Sequence, residues 1–566
     1  MRLSYPSFAF AVSVAAAAVS SPLALAQPEQ AHADFHTPAA FSWDNAIVYP
    51  IITDRFANGE PANDRAYGRP YRAIGTPSGA AAVGGSDPTA AHHFQGGDFR
   101  GIVDRITDGY FANLGISVVR ISPPFEQTHG FADTEEGSTY AFQGGWPIDF
   151  TEIDSAWGGS AGLRELLDAA RASGIRVLVD INLNSAGPPT DVDTRRFGFG
   201  PSIGDPPTTD SAVDSAWAMW WGPGWVRADL PGYPRCGDED VTACKDGLPD
   251  FRTEIGEPAE VPAFLLNKWG PEKAKGEQRE LDAWFAQTKH PRTPRHYLVK
   301  WMADWVREYG VDGFFALDAD LVDVGLWSSL KSEAEQALAD WRMSRGVATR
   351  GATAFWLAGD AEPESPLADE LFARGFNALP VWLDAPLLAA DALDSLYAAR
   401  SAALTADASR RFTAHLNVGD AEDDEQLMTA YLLIPGAVAL PFGLEFGGQV
   451  TAPAMLSETG EGSVPSWAEV ARFRSRHPAV GAGTHQLISA GPYTFQRTYR
   501  GANVVDNVVV VLGAEGRTRI NVSGAFPDDA IVRDAITGST GFVSFGYVSF
   551  TPDESGTLLL ELAVQQ

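Results

Sequence analysis

The feature that most constrains the fold is an alternation of short β-rich runs with amphipathic helical runs, which extends from residue 43 to about residue 445. The predicted strands are Asn45–Ile52, Ile116–Ile121, Val177–Asp180, Val311–Leu317, Ala354–Asp360, Phe376–Trp382, Arg411–Asn417 and Ala437–Phe442. The predicted helices are Gly101–Leu114, Ala161–Ala172, Tyr297–Tyr309 and Leu326–Trp341. Repeated strand–helix units predict a parallel sheet with helical crossovers, and eight strands fit a closed barrel. An open doubly wound sheet is the alternative, but no glycine-rich phosphate-binding motif follows the first strand.

Two segments depart from this alternation. Residues 185–292 are rich in Gly, Pro and Asp and follow the third strand, which predicts an inserted, loop-rich subdomain. From about residue 485 the pattern changes to short alternating strands, such as Asn507–Leu512 and Thr557–Leu562. The sequence therefore predicts an α/β fold: a (β/α)8 TIM barrel over residues 27–184 and 293–484, the insert at 185–292, and a C-terminal antiparallel β domain at 485–566.

The N-terminus has the features of an export signal. Arg2 precedes an apolar run from Phe8 to Val19, which is too short to span a bilayer, and Ala24-Leu25-Ala26 offers small residues for cleavage. We expect residues 1–26 to be a signal peptide and the protein to be periplasmic or extracellular; an uncleaved N-terminal helix is the alternative. No later apolar run reaches membrane length, so no membrane span is expected.

The two cysteines fit the same expectation. Cys236 and Cys244 are the only cysteines and lie close together in a polar loop. In an oxidising compartment they could close that loop as a disulfide, and two unpaired thiols are the alternative.

The charge balance bears on the partners. The chain carries 73 Asp and Glu against 42 Lys and Arg, a formal net charge of −31. Such a surface repels phosphate backbones, so we expect no nucleic-acid partner.

Four stretches carry a family resemblance over residues 43–485. They are Thr53-Asp54-Arg55-Phe56-Ala57-Asn58-Gly59, His93-Phe94-Gln95-Gly96-Gly97-Asp98, Ile121-Ser122-Pro123-Pro124-Phe125-Glu126-Gln127, and Pro435-Gly436-Ala437 followed by Phe442-Gly443-Leu444-Glu445. With these motifs, the strand order and the insert after the third strand, the chain resembles the α-amylase family of glycoside hydrolases. It is most similar to the bacterial periplasmic α-amylases and their cyclodextrin-processing relatives.

The resemblance implies a retaining mechanism with three carboxylates at the C-terminal ends of barrel strands. The sequence departs from that pattern at most of the matching positions. Phe315 stands where the family has an arginine, and Leu317 stands where it has the nucleophile. Asp360 replaces the acid Glu, Ser185 replaces a sugar-binding His, and Asp420 alone matches a catalytic residue. Leucine cannot form a glycosyl ester, so we expect a site that no longer performs ordinary hydrolysis.

An active site of rearranged carboxylates is the alternative. Asp318 follows Leu317 directly, and a β-bulge would shift the register by one residue and turn Asp318 inward. Asp318, either Asp360 or Glu362, and Asp420 would then form the catalytic set. Otherwise Asp318 and Asp320 are solvated loop acids.

Aromatic residues are the predicted substrate contacts. Phe142 occupies the position of the family's tyrosine platform, and Trp146 and Phe315 complete the predicted set. The insert carries a tryptophan-rich run, Ala216-Trp217-Ala218-Met219-Trp220-Trp221-Gly222-Pro223-Gly224-Trp225. These rings either stack on sugars or, as we favour, pack the core of the subdomain.

The resemblance also implies calcium. The positions that match the family's N-terminal calcium site are Asn58, Glu60, Asn63, Asp64, the Gly96 carbonyl and Asp98. Closely spaced oxygen ligands suit Ca²⁺, whereas an Asx-rich turn without metal is the alternative. A second family site, between barrel and insert, would use Asn184 and Asp229.

Taken together, these features predict an exported protein related to α-glucan metabolism. We expect it to bind an α-glucan, a maltooligosaccharide or a partner without ordinary turnover. An active α-1,4-glucan hydrolase or transglycosylase with a rearranged carboxylate site is the alternative.

Overall fold

The fold is taken from a computed structural model. It describes residues 41–71, 92–134, 137–200, 217–237, 240–346, 353–361, 367–383, 389–416, 425–446, 465–501 and 504–563. All of them belong to one compact unit, Pro38–Gln566. Among the described residues, no helix is both long enough and apolar enough to cross a membrane.

Eight parallel strands close into a barrel in the order β1-β2-β3-β4-β5-β6-β7-β8. They are β1 (Ile47–Ile51), β2 (Val118–Ile121), β3 (Arg176–Asn182), β4 (Gly313–Leu317), β5 (Trp356–Gly359), β6 (Ala378–Leu383), β7 (Arg411–Leu416) and β8 (Val438–Ala439). Each lies within or beside a predicted strand, so the predicted TIM barrel is confirmed and the open sheet is excluded.

Alternation along each strand separates the barrel interior from the helix-facing layer. On β3, Val177, Val179 and Ile181 belong to the large core beneath the helices, whereas Leu178 belongs to a separate cluster inside the barrel. On β4, Phe315 and Leu317 lie with Ala358 and Ala378 in a second interior cluster. Because side chains alternate with a period of two, Arg120, Asp180 and His415 also face the interior.

Helices surround the barrel, and two of the longer ones lie within the insert. Those of at least seven residues are Phe99–Thr107, Gly159–Ala172, Asp191–Phe197, Ala263–Thr288, Pro294–Tyr309, Val324–Arg345, Ala390–Ala406, Glu425–Leu432 and Ala468–Arg476. The predicted helix Gly101–Leu114 is divided in two at Gly109, whose φ of 84° ends the regular helical path.

The insert contains more helix than the sequence predicts. Ala263–Thr288 is a 26-residue helix within the segment that we expected to be loop-rich. Gly270, with φ 69° and ψ 171°, lies outside the helical region and Pro271 follows it, so the segment consists of two helical stretches that meet at a kink. Two short strands, Val226–Arg227 and Asp250–Phe251, pair nearby.

The insert is also closed by a disulfide and an aromatic core. Cys236 and Cys244 are joined, with a Cα–Cα distance of 5.4 Å. Trp220, Trp221 and Trp225 are buried and pack with neighbouring aromatic rings, while Trp217 is half-buried. These buried rings pack the subdomain rather than offer a sugar-binding face.

The C-terminal region is an antiparallel β domain. Its strands are β9 (Thr484–Ala490), β10 (Tyr493–Arg500), β11 (Val505–Leu512), β12 (Thr518–Asn521), β13 (Ile531–Asp534), β14 (Thr540–Phe542), β15 (Tyr547–Phe550) and β16 (Leu558–Leu562). Six of them form one sheet in the order β9-β10-β11-β16-β13-β14, and β12 pairs with β15. A separate core of Val, Ile, Leu and Phe side chains lies between these strands.

His477 joins the last barrel helix to this domain. Its Nδ1 lies 2.9 Å from Asp506 on β11 and its Nε2 lies 2.6 Å from Glu561 on β16. Burial disfavours the charged ring, but the two carboxylates outweigh burial and raise the pKa of His477.

We therefore expect a pH-dependent contribution to stability at this junction. Because the pKa of His477 is higher in the folded than in the unfolded protein, protonation of His477 stabilises the fold fully below about pH 6.5. This stabilisation is lost as the pH rises through the pKa of the folded state. His477→Gln should lower the melting temperature more at about pH 5.5 than at about pH 8.5. Differential scanning calorimetry at both pH values measures this, with His92→Gln as the control. An equal loss at both values would contradict it.

Candidate functional site

The C-terminal end of the barrel interior holds an unusual set of side chains. Arg120 comes from β2, Asp180 and Asn182 from β3, Phe315 and Leu317 from β4, Trp382 from β6 and His415 from β7. Catalytic residues of TIM barrels lie at this end, so this layer is the candidate site. We call it the barrel mouth.

Arg120, which is half-buried, and Asp180, which is buried, form an ion pair across β2 and β3. Arg120 Nε lies 2.9 Å from Asp180 Oδ1, and the guanidinium carbon lies 3.8 Å from the centre of the Phe315 ring. Burial raises the pKa of Asp180 to about 7, against the opposing charge of Arg120. A carboxyl group with such a pKa can exchange a proton near neutral pH.

His415 and Trp382 form the opposite side of the mouth. The two residues are directly paired across β6 and β7, and their ring centres lie 4.8 Å apart. Burial, and then the charge of Arg120, lower the pKa of His415 to about 3, so its ring is neutral at neutral pH. A neutral imidazole has one donor and one acceptor. Trp382 is 52% exposed and presents an aromatic surface to a ligand.

The register of β4 bears on the two interpretations of Leu317 and Asp318. Gly313 to Leu317 pair one-to-one with Leu178 to Asn182, so the strand contains no bulge. Leu317 thus shares the interior face with Phe315. Asp318 follows the strand in the left-handed conformation, φ 51°, and its carboxylate binds Lys245 of the insert.

The other predicted carboxylates lie beyond the strand ends or outside the described residues. Asp360 is exposed and follows β5. Burial raises the pKa of Asp320, and the nearby charges of Asp318 and Asp360 raise it further. These three acids therefore form one electrostatic cluster at the rim. Asp420 and Glu362 lie outside the described residues.

The predicted aromatic contacts differ in surroundings. Phe142 is half-buried, and the guanidinium of Arg55 lies 3.7 Å above its ring. Arg55 pairs with Asp54, and burial raises the pKa of Asp54 to about 7. Trp146 is half-buried, and its backbone N–H donates to Gln127 Oε1 over 2.6 Å.

The Asn58–Asp64 loop meets Asp98 as the resemblance implies. Asn58 Nδ2 donates to Asp64 Oδ1 over 2.7 Å, and Asn63 Nδ2 donates to Asp98 Oδ2 over 3.1 Å. Asp98 also caps the helix Phe99–Thr107 by accepting from the Gly101 N–H over 2.8 Å. The Glu60 side chain is exposed, whereas its backbone N–H donates to Asp98.

Two features of this loop fit a bound cation. Asn58 Oδ1 and Asn63 Oδ1 are buried and have no hydrogen-bond partner in the described part of the chain. A Cβ atom on Gly96 would lie 2.6 Å from Asp64 Oδ1, so only glycine allows its backbone to approach the loop so closely. Within the described ranges, however, no three His, Cys, Asp or Glu side chains are grouped to hold a metal ion. The amide oxygens would therefore have to contribute.

Asn184 and Asp229, the predicted ligands of the second calcium site, lie in different environments. The Asn184 amide is buried and, in the orientation that satisfies its neighbours, donates to Asp250 Oδ1 at 3.0 Å and to the Leu321 carbonyl at 3.2 Å. The backbones of Ser185 and Asp250 also form an isolated antiparallel β-bridge. Asp229 is exposed. The contacts of Asn184 thus join barrel and insert through Asp250.

Sequence reasoning did not select Arg120, Asp180, Trp382 or His415 as site residues. One signal was available: Arg120 is a charged residue within an otherwise apolar strand, and His415 is a titratable residue on the interior face of its strand. Polar residues on an interior face require partners, so such positions point to the barrel mouth.

The comparisons with known proteins agree with this architecture. The family description "Alpha amylase, catalytic domain" matches residues 49–195. An Anoxybacillus α-amylase structure aligns with a TM-score of 0.55 at 15% identity, covering 93% of this chain and 100% of that chain. An α-amylase structure from Geobacillus thermoleovorans aligns with a TM-score of 0.54 at 14% identity, covering 93% and 100%. These structural likenesses support the fold.

Sequence similarity supports the family. A cyclomaltodextrin glucanotransferase of Bacillus sp. (strain 1011) is 31% identical over 175 residues, which are 31% of this chain and 23% of that protein. The periplasmic α-amylase of Escherichia coli (strain K12) is 32% identical over 524 residues, covering 82% of this chain and 72% of that protein. With this extent of similarity and the closed barrel, the chain belongs to the α-amylase family of glycoside hydrolases.

Proposed function

We propose that the protein binds α-glucan chains at the barrel mouth and does not perform the family's retaining hydrolysis. The observation that supports this proposal is Leu317, which lies on the interior face of β4 at the position that the resemblance assigns to the nucleophile. A retaining mechanism needs a carboxylate there to form the glycosyl-enzyme intermediate. Leucine offers no such group, and the next carboxylate, Asp318, is bound to Lys245.

The mouth retains groups that suit a sugar. The exposed ring of Trp382 offers a surface for the apolar face of a glucose unit, and the neutral His415 beside it can donate to one hydroxyl and accept from another. Trp382 lies at the C-terminal end of β6, where TIM-barrel ligands bind. We therefore assign Trp382 as the aromatic platform of the glucan site.

Isothermal titration calorimetry with maltoheptaose tests this assignment. Trp382→Ala should weaken binding at least about fivefold, because an aromatic stacking contact contributes about 1 kcal/mol beyond its buried area. Phe542→Ala removes another exposed ring, 71% exposed on β14 of the C-terminal domain, and should leave binding unchanged. No binding by the parent, or equal losses in the two variants, would contradict the proposal.

A second candidate function rests on the acids at the rim. Asp318, Asp320 and Asp360 interact electrostatically beyond the ends of β4 and β5, with Lys245 among them. If Asp318 left Lys245 when a substrate bound, it could serve as a nucleophile in a rearranged hydrolase or transglycosylase. The two functions differ in whether bound glucan is cleaved.

We also propose that the protein is exported to the periplasm or beyond. The disulfide Cys236–Cys244 suits an oxidising compartment, and the Escherichia coli relative is described as periplasmic. Residues 1–26, the predicted signal peptide, lie outside the described residues.

Calcium is the proposed cofactor of the Asn58–Asp64 loop. The unpartnered oxygens of Asn58 and Asn63 and the Asp64 carboxylate are the hard ligands that Ca²⁺ prefers. Burial raises the pKa of Asp64, and the charge of Asp98 adds to this, so a cation at the loop would relieve an unfavourable charge. When bound, calcium would supply structural stability to the loop rather than chemistry at the barrel mouth.

A further inference from the structure

A guanidinium group lies over Phe315 in the barrel mouth although the fourth strand lacks the arginine that the family has there. The family resemblance places an arginine at position 315, where this chain has Phe315. In the structure the guanidinium of Arg120 lies 3.8 Å above the ring of Phe315. It comes from β2, which is separated from β4 by β3.

The strand register explains how Arg120 reaches this place. Arg120 pairs with Leu178 on β3, and Asp180, two residues further along β3, pairs with Phe315 on β4. Side chains at Leu178 and Asp180 share the interior face, so the long Arg120 side chain extends along that face toward Asp180. Its Nε lies 2.9 Å from Asp180 Oδ1.

Phe315 makes this arrangement favourable. An arginine at 315 would place a second cation beside the same carboxylate, whereas a phenyl ring offers a flat face on which a guanidinium stacks. Phe315 and Arg120 therefore complement each other: the ring supports the guanidinium, and the guanidinium pairs with Asp180.

We infer that Arg120 is a positioning residue that replaces the missing arginine of the fourth strand from β2 and builds the floor of the glucan site with Asp180 and Phe315. The placement of Arg120 stands on these contacts alone. Its part in glucan binding rests on the proposed function, because His415 and Trp382 lie across the mouth from it.

A transfer of the arginine between strands tests the placement without any ligand. Arg120→Ala leaves Asp180 buried without its partner and should lower the melting temperature by at least ~3 °C. Phe315→Arg alone should also lower it, because two guanidinium groups would share one carboxylate. The double variant Arg120→Ala/Phe315→Arg returns one arginine to the site and should regain at least half of the loss of Arg120→Ala.

Additive losses in the double variant would overturn the inference, because they would show that the two positions do not share one role. If Arg120→Ala does not fold, the comparison uses Arg120→Gln and Arg120→Gln/Phe315→Arg, which keep more of the side-chain volume. Recovery in that double variant supports the inference, and its absence overturns it.

Maltoheptaose titration of the same proteins separates placement from function. Arg120→Ala should bind about tenfold more weakly and the double variant should regain affinity. If the parent binds no glucan, the proposed function fails while the melting temperatures still decide the role of Arg120. If the parent binds but the Arg120 variants bind equally well, Arg120 has no part in the glucan site.

Discussion

The purified protein is expected to release no reducing ends above background from starch, cyclodextrin or maltooligosaccharides. Leu317 cannot attack an anomeric carbon, so the glycosyl-enzyme intermediate that links the two steps of a retaining mechanism cannot form there, and Phe315 cannot orient a carboxylate. Loss of a nucleophile alone lowers turnover by about four to six orders of magnitude. The measurement is product analysis after long incubation, on a sample whose glucan binding has been established by calorimetry.

Three variants distinguish this expectation from a rearranged active site. Asp318→Ala, Asp360→Ala and Asp420→Ala should be indistinguishable from the parent in product release. Lys245→Ala is the matched control for Asp318→Ala, since it removes the ion-pair partner of Asp318 and keeps all the carboxylates. Robust hydrolysis by the parent that Asp318→Ala abolishes would overturn the proposed function and identify Asp318 as the nucleophile.

The barrel was predictable because its physical signal is local. Each strand alternates between an interior face and a helix-facing layer, and each is followed by a helix whose apolar residues recur at helical spacing. The helical segment Ala263–Thr288 was missed for a related reason: the Gly, Pro and Asp residues of the whole insert obscured two helical stretches that meet at Gly270 and Pro271.

The barrel mouth was less predictable because its contacts cross strands. The family resemblance indicates that the arginine is absent at position 315. The guanidinium that lies over Phe315 comes from Arg120, which is far away in sequence. Whether Arg120 reaches Asp180 depends on the stagger of β2 against β3, which no local pattern encodes. The partner of Asp318 was hidden in the same way, since Lys245 belongs to the insert.

Calcium should raise the melting temperature of the protein, and this is the second large effect that we expect. A ligand that binds the folded state stabilises it by about 4 kcal/mol when its free concentration exceeds Kd about a thousandfold. Asp64→Asn should abolish most of that rise, because it removes a charged ligand that lies beside the two unpartnered amide oxygens. Asp191→Asn removes an exposed carboxylate of the helix Asp191–Phe197 and should retain the full rise.

Substitution of Asp98 is expected to affect the stability of the loop itself. Its oxygens accept from the backbone N–H groups of Gly59, Glu60 and Gly101, so Asp98→Ala should lower the melting temperature even in a chelator. Asn58→Ala and Asn63→Ala remove the two unpartnered oxygens and should weaken the calcium effect. Each also removes one hydrogen bond, to Asp64 or to Asp98, so the calcium effect of each variant is measured against its own melting temperature in the chelator. A parent protein whose melting temperature is the same in calcium and in chelator would contradict the site. The buried oxygens of Asn58 and Asn63 would then accept hydrogen bonds from water within an Asx-rich turn.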